Sequence, residues 1–266
     1  MKRVAYVESL GFAAPGLPDW LTTRRVLRDE QLYQPCDLPV YQPALLPPNE
    51  RRRASQTVRL AFRVAEEATR TSSIAANRLA CVFASSDGDL NIAHKLCLAL
   101  AEPQQTVSPT DFHNSVHNAA AGYWSIAALA TGPSTAVAAY DYSFAGGLME
   151  ALGMVSVERH ATLLIAYDVP APAPLLATRP LTVAVGVGLV LTPEPTPNTQ
   201  ARLAFETGPG AETSLPHVGL EALRQGNPAA RGLPLLRAIA RGAGSAVLAL
   251  SDALLAHVTV AGGGGP

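Results

Sequence analysis

Little in this sequence of 266 residues is charged: 15% are Asp, Glu, Lys or Arg, and the formal net charge is −1. So small a balance gives no general attraction to nucleic acid or to an anionic membrane. Cysteine is scarce too. Cys36, Cys81 and Cys97 form no CxxC pair and no metal-ligand spacing, and their odd number argues against a disulfide framework. Cys81 and Cys97 stand in apolar company and read as small core residues. No apolar stretch reaches about 18 residues, so no membrane insertion is expected. No charged segment followed by a long apolar run opens the chain, and cytoplasm is the default compartment. The basic run Arg51, Arg52, Arg53 reads as a solvated helix start rather than an anion site.

What is present is an apolar fraction of 48%, enough for one large α/β domain. The most informative stretch is 108–153, which reads as loop, helix, turn, strand, sharp turn and second helix. A helix is expected over 114–130, with Tyr123, Ile126, Ala127 and Ala130 near one face. Thr131, Gly132 and Pro133 stop it. Ser134, Thr135, Ala136, Val137, Ala138 and Ala139 follow as an uncharged run of small and β-branched residues, fit for a strand buried on both faces. The strand ends at Tyr140, Asp141 and Tyr142, where Ser143 can cap a helix that carries Gly146 and Gly147 near its start. A strand entering such a turn is where many α/β enzymes hold a nucleophile. Here the tip carries Asp141, and no Ser or Cys occupies it.

Elsewhere a first strand is expected over 3–8, broken by Gly11, and Asp19 is placed to cap a short helix holding Trp20, Leu21 and Leu27. Residues 33–48 are proline-punctuated and extended. Asn49 is a cap for a helix over 50–69 with a Val58, Ala61, Phe62, Ala65 stripe. A strand over 79–84 precedes a helix capped by Asp87 or Asp89, which carries Leu90, Ala93, Leu96, Cys97 and Leu100 on one side. Strands are expected over 161–167, 181–191, 201–206, 246–250 and 257–260, the third as hairpin partner of the second, and a helix over 233–241. Strands separated by helices of this length argue for right-handed βαβ units and a largely parallel sheet. Residues 262–265 read as a flexible end.

The segments SPTDFHNSVHNAAAGYWSIA and GPSTAVAAYDYSFAGGLMEAL resemble the N-terminal half of a β-ketoacyl synthase. Val82 to Ser86, Thr178-Arg179-Pro180-Leu181 and Gly186 to Leu191 resemble flanking segments of the same family. The resemblance covers about residues 1–206 and is nearest to the short chain length factor type of aryl polyene and related polyketide pathways. It implies a thiolase-like α/β fold, mainly the N-terminal βαβαβ half with a truncated C-terminal half. Residues 207–260 would form a reduced C-terminal segment packed on the same domain, and 261–266 a flexible tail. Counted from Gly132-Pro133-Ser134, the family's catalytic cysteine falls on Asp141. Its two histidines and lysine have no counterpart, since only His217 and His257 follow residue 160 and no lysine does. Thiolate and imidazoles are what decarboxylation and condensation need.

Three expectations follow from the resemblance. The chain is a catalytically inactive homologue that pairs with a complete β-ketoacyl synthase, with the acyl carrier protein as a transient partner and no cofactor or metal. The strand Ser134, Thr135, Ala136, Val137, Ala138, Ala139 forms the dimer interface, since an edge so apolar is an aggregation liability unless paired. Asp111, Phe112, His113, Tyr140, Tyr142 and Phe144 border the partner's acyl tunnel and limit product length sterically. Simpler roles stand beside these. Asp141 suits a helix start as a carboxylate facing orphan amides, and the aromatics suit a core. His113 and His117, four apart, could pair on a metal but lack a third ligand. Ser85, Ser86 and Asp87 could suggest a hydrolase without an assignable histidine. Competing functions are malonyl or acyl thioester decarboxylation or hydrolysis through Asp141, a purely stabilising subunit, and a homodimeric acyl-binding module.

Overall fold

A computed structural model describes residues 3–263. Strand β1 (Arg3–Ala13) leads to α1 (Trp20–Leu27), capped by the Asp19 carboxylate, which accepts from the Thr22 amide at 2.7 Å. After an irregular stretch over 33–47 come α2 (Pro48–Arg53) and α3 (Gln56–Arg70). Then follow β2 (Ala80–Ala84), α4 (Leu90–Ala101), α5 (Pro109–Asn114), α6 (Ala119–Ala127), β3 (Ser134–Val137), α7 (Ser143–Ser156), β4 (Thr162–Asp168) and β5 (Val185–Thr192). The last third adds β6 (Ala201–Gly208), α8 (Val218–Gly226), α9 (Leu233–Arg241), β7 (Gly244–Ala249) and β8 (Leu255–Gly262).

The strands form one eight-stranded sheet in the order β3-β2-β4-β5-β1-β6-β8-β7. It is not largely parallel. Among the described residues the parallel pairs are β2–β3 and β2–β4, and every other pairing is antiparallel. The expected hairpin between β5 and β6 is also absent, because β1 lies between them and pairs with both. Helices cover both faces. On one, α3 and α6 pack Phe62, Val64 and Trp124 on Cys81, Phe83, Leu163 and Ile165; on the other, α7 packs Leu148 and Leu152 on Val82, Leu164 and Leu189, and α9 packs Leu236 over β7 and β8.

Gly11 does not break β1. A Cβ there would lie 2.3 Å from the Val64 carbonyl oxygen, and one at Gly188 would lie 2.4 Å from the same atom. These two glycines exist for the close approach of α3 to β1 and β5. The expected helix over 50–69 is two helices, because Ser55 caps α3 by accepting from the Val58 amide. The expected helix over 114–130 is likewise interrupted. The Asn114 amide group donates to the Arg53 carbonyl at 3.0 Å, and His117 Nε2 bonds the Ser85 carbonyl at 2.9 Å, so the turn between α5 and α6 is tied to neighbouring loops. Ile126 is exposed rather than packed beside Tyr123. Asp89, not Asp87, caps α4. That helix buries only Ile92, and Cys97 is exposed, not core. Cys81 is buried, which pushes its thiol up to about 12. The tail is not loose throughout, since Ala261 and Gly262 pair with Arg202 and Ala201 in β8; residues 264–266 lie outside the described residues.

Candidate functional site

At one end of the sheet, β3 pairs only with β2 among the described residues. Its side chains are exposed or half-buried, so it is an open edge and not a strand buried on both faces. The chain then turns through 140–142 into α7. Ser143 fixes that turn: its hydroxyl accepts from the Ala139 amide at 3.0 Å and donates to the Tyr140 carbonyl at 2.7 Å. Tyr140 sits at φ +51°, a left-handed conformation that side-chain-bearing residues seldom hold without support. Gly147 lets α7 approach β2, because a Cβ would lie 2.6 Å from that of Ala84.

The support comes from Arg179. This residue is 7% exposed, yet it carries a guanidinium with three partners at once. Nε donates to Asp87 Oδ2 at 2.5 Å, Nη1 donates to Asp141 Oδ1 at 2.5 Å, and the guanidinium carbon lies 3.9 Å from the centre of the Tyr140 ring. Burial works against the charge, but the two carboxylates outweigh it and hold the guanidinium above its ordinary range. Arg231 stands 4.0 Å from the other Asp141 oxygen and also donates to Glu212 at 3.2 Å. Beneath the turn, the buried Asp168 carboxylate accepts from the Ser85 hydroxyl, the Ser86 amide and the Ser86 hydroxyl at 3.0, 2.8 and 2.8 Å. Burial raises it to about 7 in spite of those donors.

This arrangement decides several roles. Asp141 does not stand free as a base or nucleophile; its neighbours are two arginines. The Ser85 hydroxyl is spent on Asp168 and that of Ser86 is shared between Asp168 and Asp87, so the hydrolase reading finds no imidazole-activated serine among the described residues. His117 Nε2 bonds the Ser85 carbonyl, and His113 packs edge-on against Tyr123. Among the described residues no three His, Cys, Asp or Glu side chains converge as a metal site would require. His217 caps α8 through Nδ1, which accepts from the Gly219 and Leu220 amides.

The sequence-predicted residues divide into separate places. Tyr140 and Asp141 belong to the Arg179 cluster, and Tyr142 hydrogen-bonds Asp252. Phe144 is fully buried against Gly232, where a Cβ would lie 2.4 Å from its ring, and takes no part in a surface. Phe112 and His113 instead line an open groove of about 880 Å³ with Arg53, Val116, Tyr123 and Ile126, and no residue of the turn borders it. Asp111 shares the α5 turn and its amide donates to Ser108 Oγ. Sequence reasoning missed Arg179 as a site residue. The Arg-Pro dipeptide was visible, but its partners lie 92 and 38 residues away.

The family described as "Beta-ketoacyl synthase, N-terminal domain" matches residues 20–251. The chain belongs to this family. Solved structures agree in fold. A ketosynthase (ApeO) in complex with its chain length factor (ApeC) from Xenorhabdus doucetiae is 24% identical with a TM-score of 0.73, covering 96% of this chain and 99% of the other. The ishigamide ketosynthase/chain length factor is 13% identical with a TM-score of 0.74, covering 97% and 99%. A type II PKS acyl-carrier protein in complex with its ketosynthase, AntDE:AntF, is 11% identical with a TM-score of 0.74, covering 98% and 100%. No curated protein matches the chain. As a ketosynthase-like fold with helices on both faces of a mixed sheet, it has the thiolase-like architecture that the resemblance implies. No described helix is long and apolar enough to cross a membrane.

Proposed function

We propose that this chain is a non-catalytic chain length factor: it pairs with an active β-ketoacyl synthase and shapes that enzyme's acyl tunnel during polyene, polyketide or fatty acyl elongation. The observation that carries the reading is the occupancy of the nucleophile turn. Where the resemblance places cysteine stands Asp141, whose carboxylate is held by Arg179 at 2.5 Å with Arg231 at 4.0 Å. Carboxylate attack on a thioester would give a fragile mixed anhydride, and no histidine contacts this one among the hydrogen bonds of the described residues. The turn is thereby built to hold its shape, not to react, which argues against thioester hydrolysis or decarboxylation through Asp141.

Pairing through β3 is supported by its free edge and by the exposed apolar side chains nearby, Phe112, Ile126, Leu129 and Tyr140, each more than half exposed. Unpaired strand edges flanked by apolar surface favour addition of another chain. The kinds of complex named for the similar solved structures support the same partner, and one of those names includes an acyl-carrier protein, a transient partner in this reading. Asp111, Phe112 and His113 would then set tunnel depth from α5. The test is reconstitution with the partner synthase, carrier protein and extender units, followed by product-length analysis. Phe112→Ala should shift products to longer chains with the complex intact. Unchanged lengths would leave a purely stabilising subunit, and turnover by the isolated chain that Asp141→Asn abolishes would restore the enzymatic reading.

A further inference from the structure

We propose that Arg179 is a positioning residue: it clasps Asp87 and Asp141 and lays its guanidinium on Tyr140, so that the Tyr140 ring stands beside the open edge of β3 in one orientation, as a preformed knob for the partner subunit. This inference rests on the heterodimer reading above.

Four observations carry it. Tyr140 is 55% exposed at φ +51°, so neither burial nor backbone preference fixes its ring. Arg179, by contrast, is 7% exposed and has two directional bonds at 2.5 Å, one to each carboxylate, so its plane is fixed. Asp87 is itself anchored, since the Ser86 hydroxyl, shared between Asp168 and Asp87, lies 2.6 Å from the same Oδ2. The guanidinium face at 3.9 Å from the Tyr140 ring transfers that rigidity to an exposed aromatic. An aromatic ordered in advance loses little freedom on docking, which is why rigid tyrosines serve as interface anchors. The residues of the clasp come from the loop after β2, the turn before α7 and the loop before β5, so the knob's position reads out the register of all three.

A merely structural ion pair would staple the same loops without acting on Tyr140. Arg179→Lys separates the two, because an ammonium keeps the charge between the carboxylates but has neither a planar face nor a fork. In the complex with the synthase, Arg179→Lys should weaken association about three- to tenfold. Tyr140→Ala should weaken it at least as much, and the double variant no further than Tyr140→Ala alone. Independent, multiplying losses would overturn the proposal. The isolated chain offers a second readout, with 3-fluorotyrosine introduced at position 140. Its fluorine resonance should sit away from that of free fluorotyrosine and return toward it in Arg179→Lys. A resonance indifferent to Arg179→Lys would overturn the clasp. A wild-type chain that binds no synthase would overturn the heterodimer reading and the knob's role with it, while the fluorine spectrum still decides whether Arg179 orders Tyr140.

Discussion

At Asp168, burial and hydrogen bonding pull in opposite directions, and burial wins. Three donors favour the charged form, but removal from water raises the group from 3.8 to about 7. In the unfolded chain the carboxyl is ionised above its ordinary value, whereas in the folded chain it holds its proton until about 7. Folding therefore takes up a proton between those limits, and this residue's contribution to stability falls as pH rises through that window and levels off above it. Asp168→Asn keeps the oxygen that accepts from Ser85 and Ser86 and replaces Oδ2, which has no partner. The variant should gain in melting temperature relative to wild type as pH is raised from about 5 to about 8. A difference that stays constant across that range would show that Asp168 does not titrate there. Arg179 poses the reverse case. Arg179→Met would leave Asp87 without its cation and Asp141 with Arg231 alone, at 4.0 Å. Breaking a buried pair costs roughly 3–5 kcal/mol, and the half-exposure of Asp141 places the expected loss at or below the lower end. Denaturant unfolding at neutral pH measures it.

Among the elements, α3 and the sheet beneath it show how a glycine can be misread. Alternating sequence with Gly11 in its path suggests a broken strand; the structure shows a continuous strand with a helix pressed on it. Gly188→Ala should destabilise the chain by about 1–3 kcal/mol, because the added methyl meets backbone, which cannot swing aside. A loss below about 0.5 kcal/mol would mean that α3 shifts freely. Core strands β2 and β4, the α3 stripe and helices α7 and α9 were legible because each has strong periodicity or an unbroken apolar run. Helix α8 is not legible. Its cue was the Leu220 and Leu223 pair with Glu221 and Arg224 spaced one turn apart, a pattern too short to stand out beside Gly219 and Gly226. Strand pairing was less legible still, since nothing local in β6 says that its neighbour is β1 rather than β5. The edge strand carries its own prediction. Ala138→Lys, at an exposed position just past β3, should prevent co-purification with a synthase yet leave the melting temperature of the chain nearly unchanged.

On the scale of the whole molecule, the first and last thirds of the sequence meet through charge as well as through the sheet. Asp87, Arg179, Asp141, Arg231, Glu212 and Arg224 form a continuous series of ion pairs from the loop after β2 to α8. The turn that would carry a nucleophile is the middle of that series. The sequence made Asp141 conspicuous by its place after a small-residue strand, but the arginines that define its role come from segments far along the chain, and no spacing rule connects them. Phe112 and Tyr140, which the resemblance groups together, occupy a groove and a turn that share no lining residue. In the proposed reading this surface is completed by another subunit. The most direct measurement is co-expression with a β-ketoacyl synthase of the same genome, tagging only the synthase, followed by pull-down and native mass determination. A one-to-one complex surviving purification is the predicted result. Two separate soluble proteins would contradict the heterodimer.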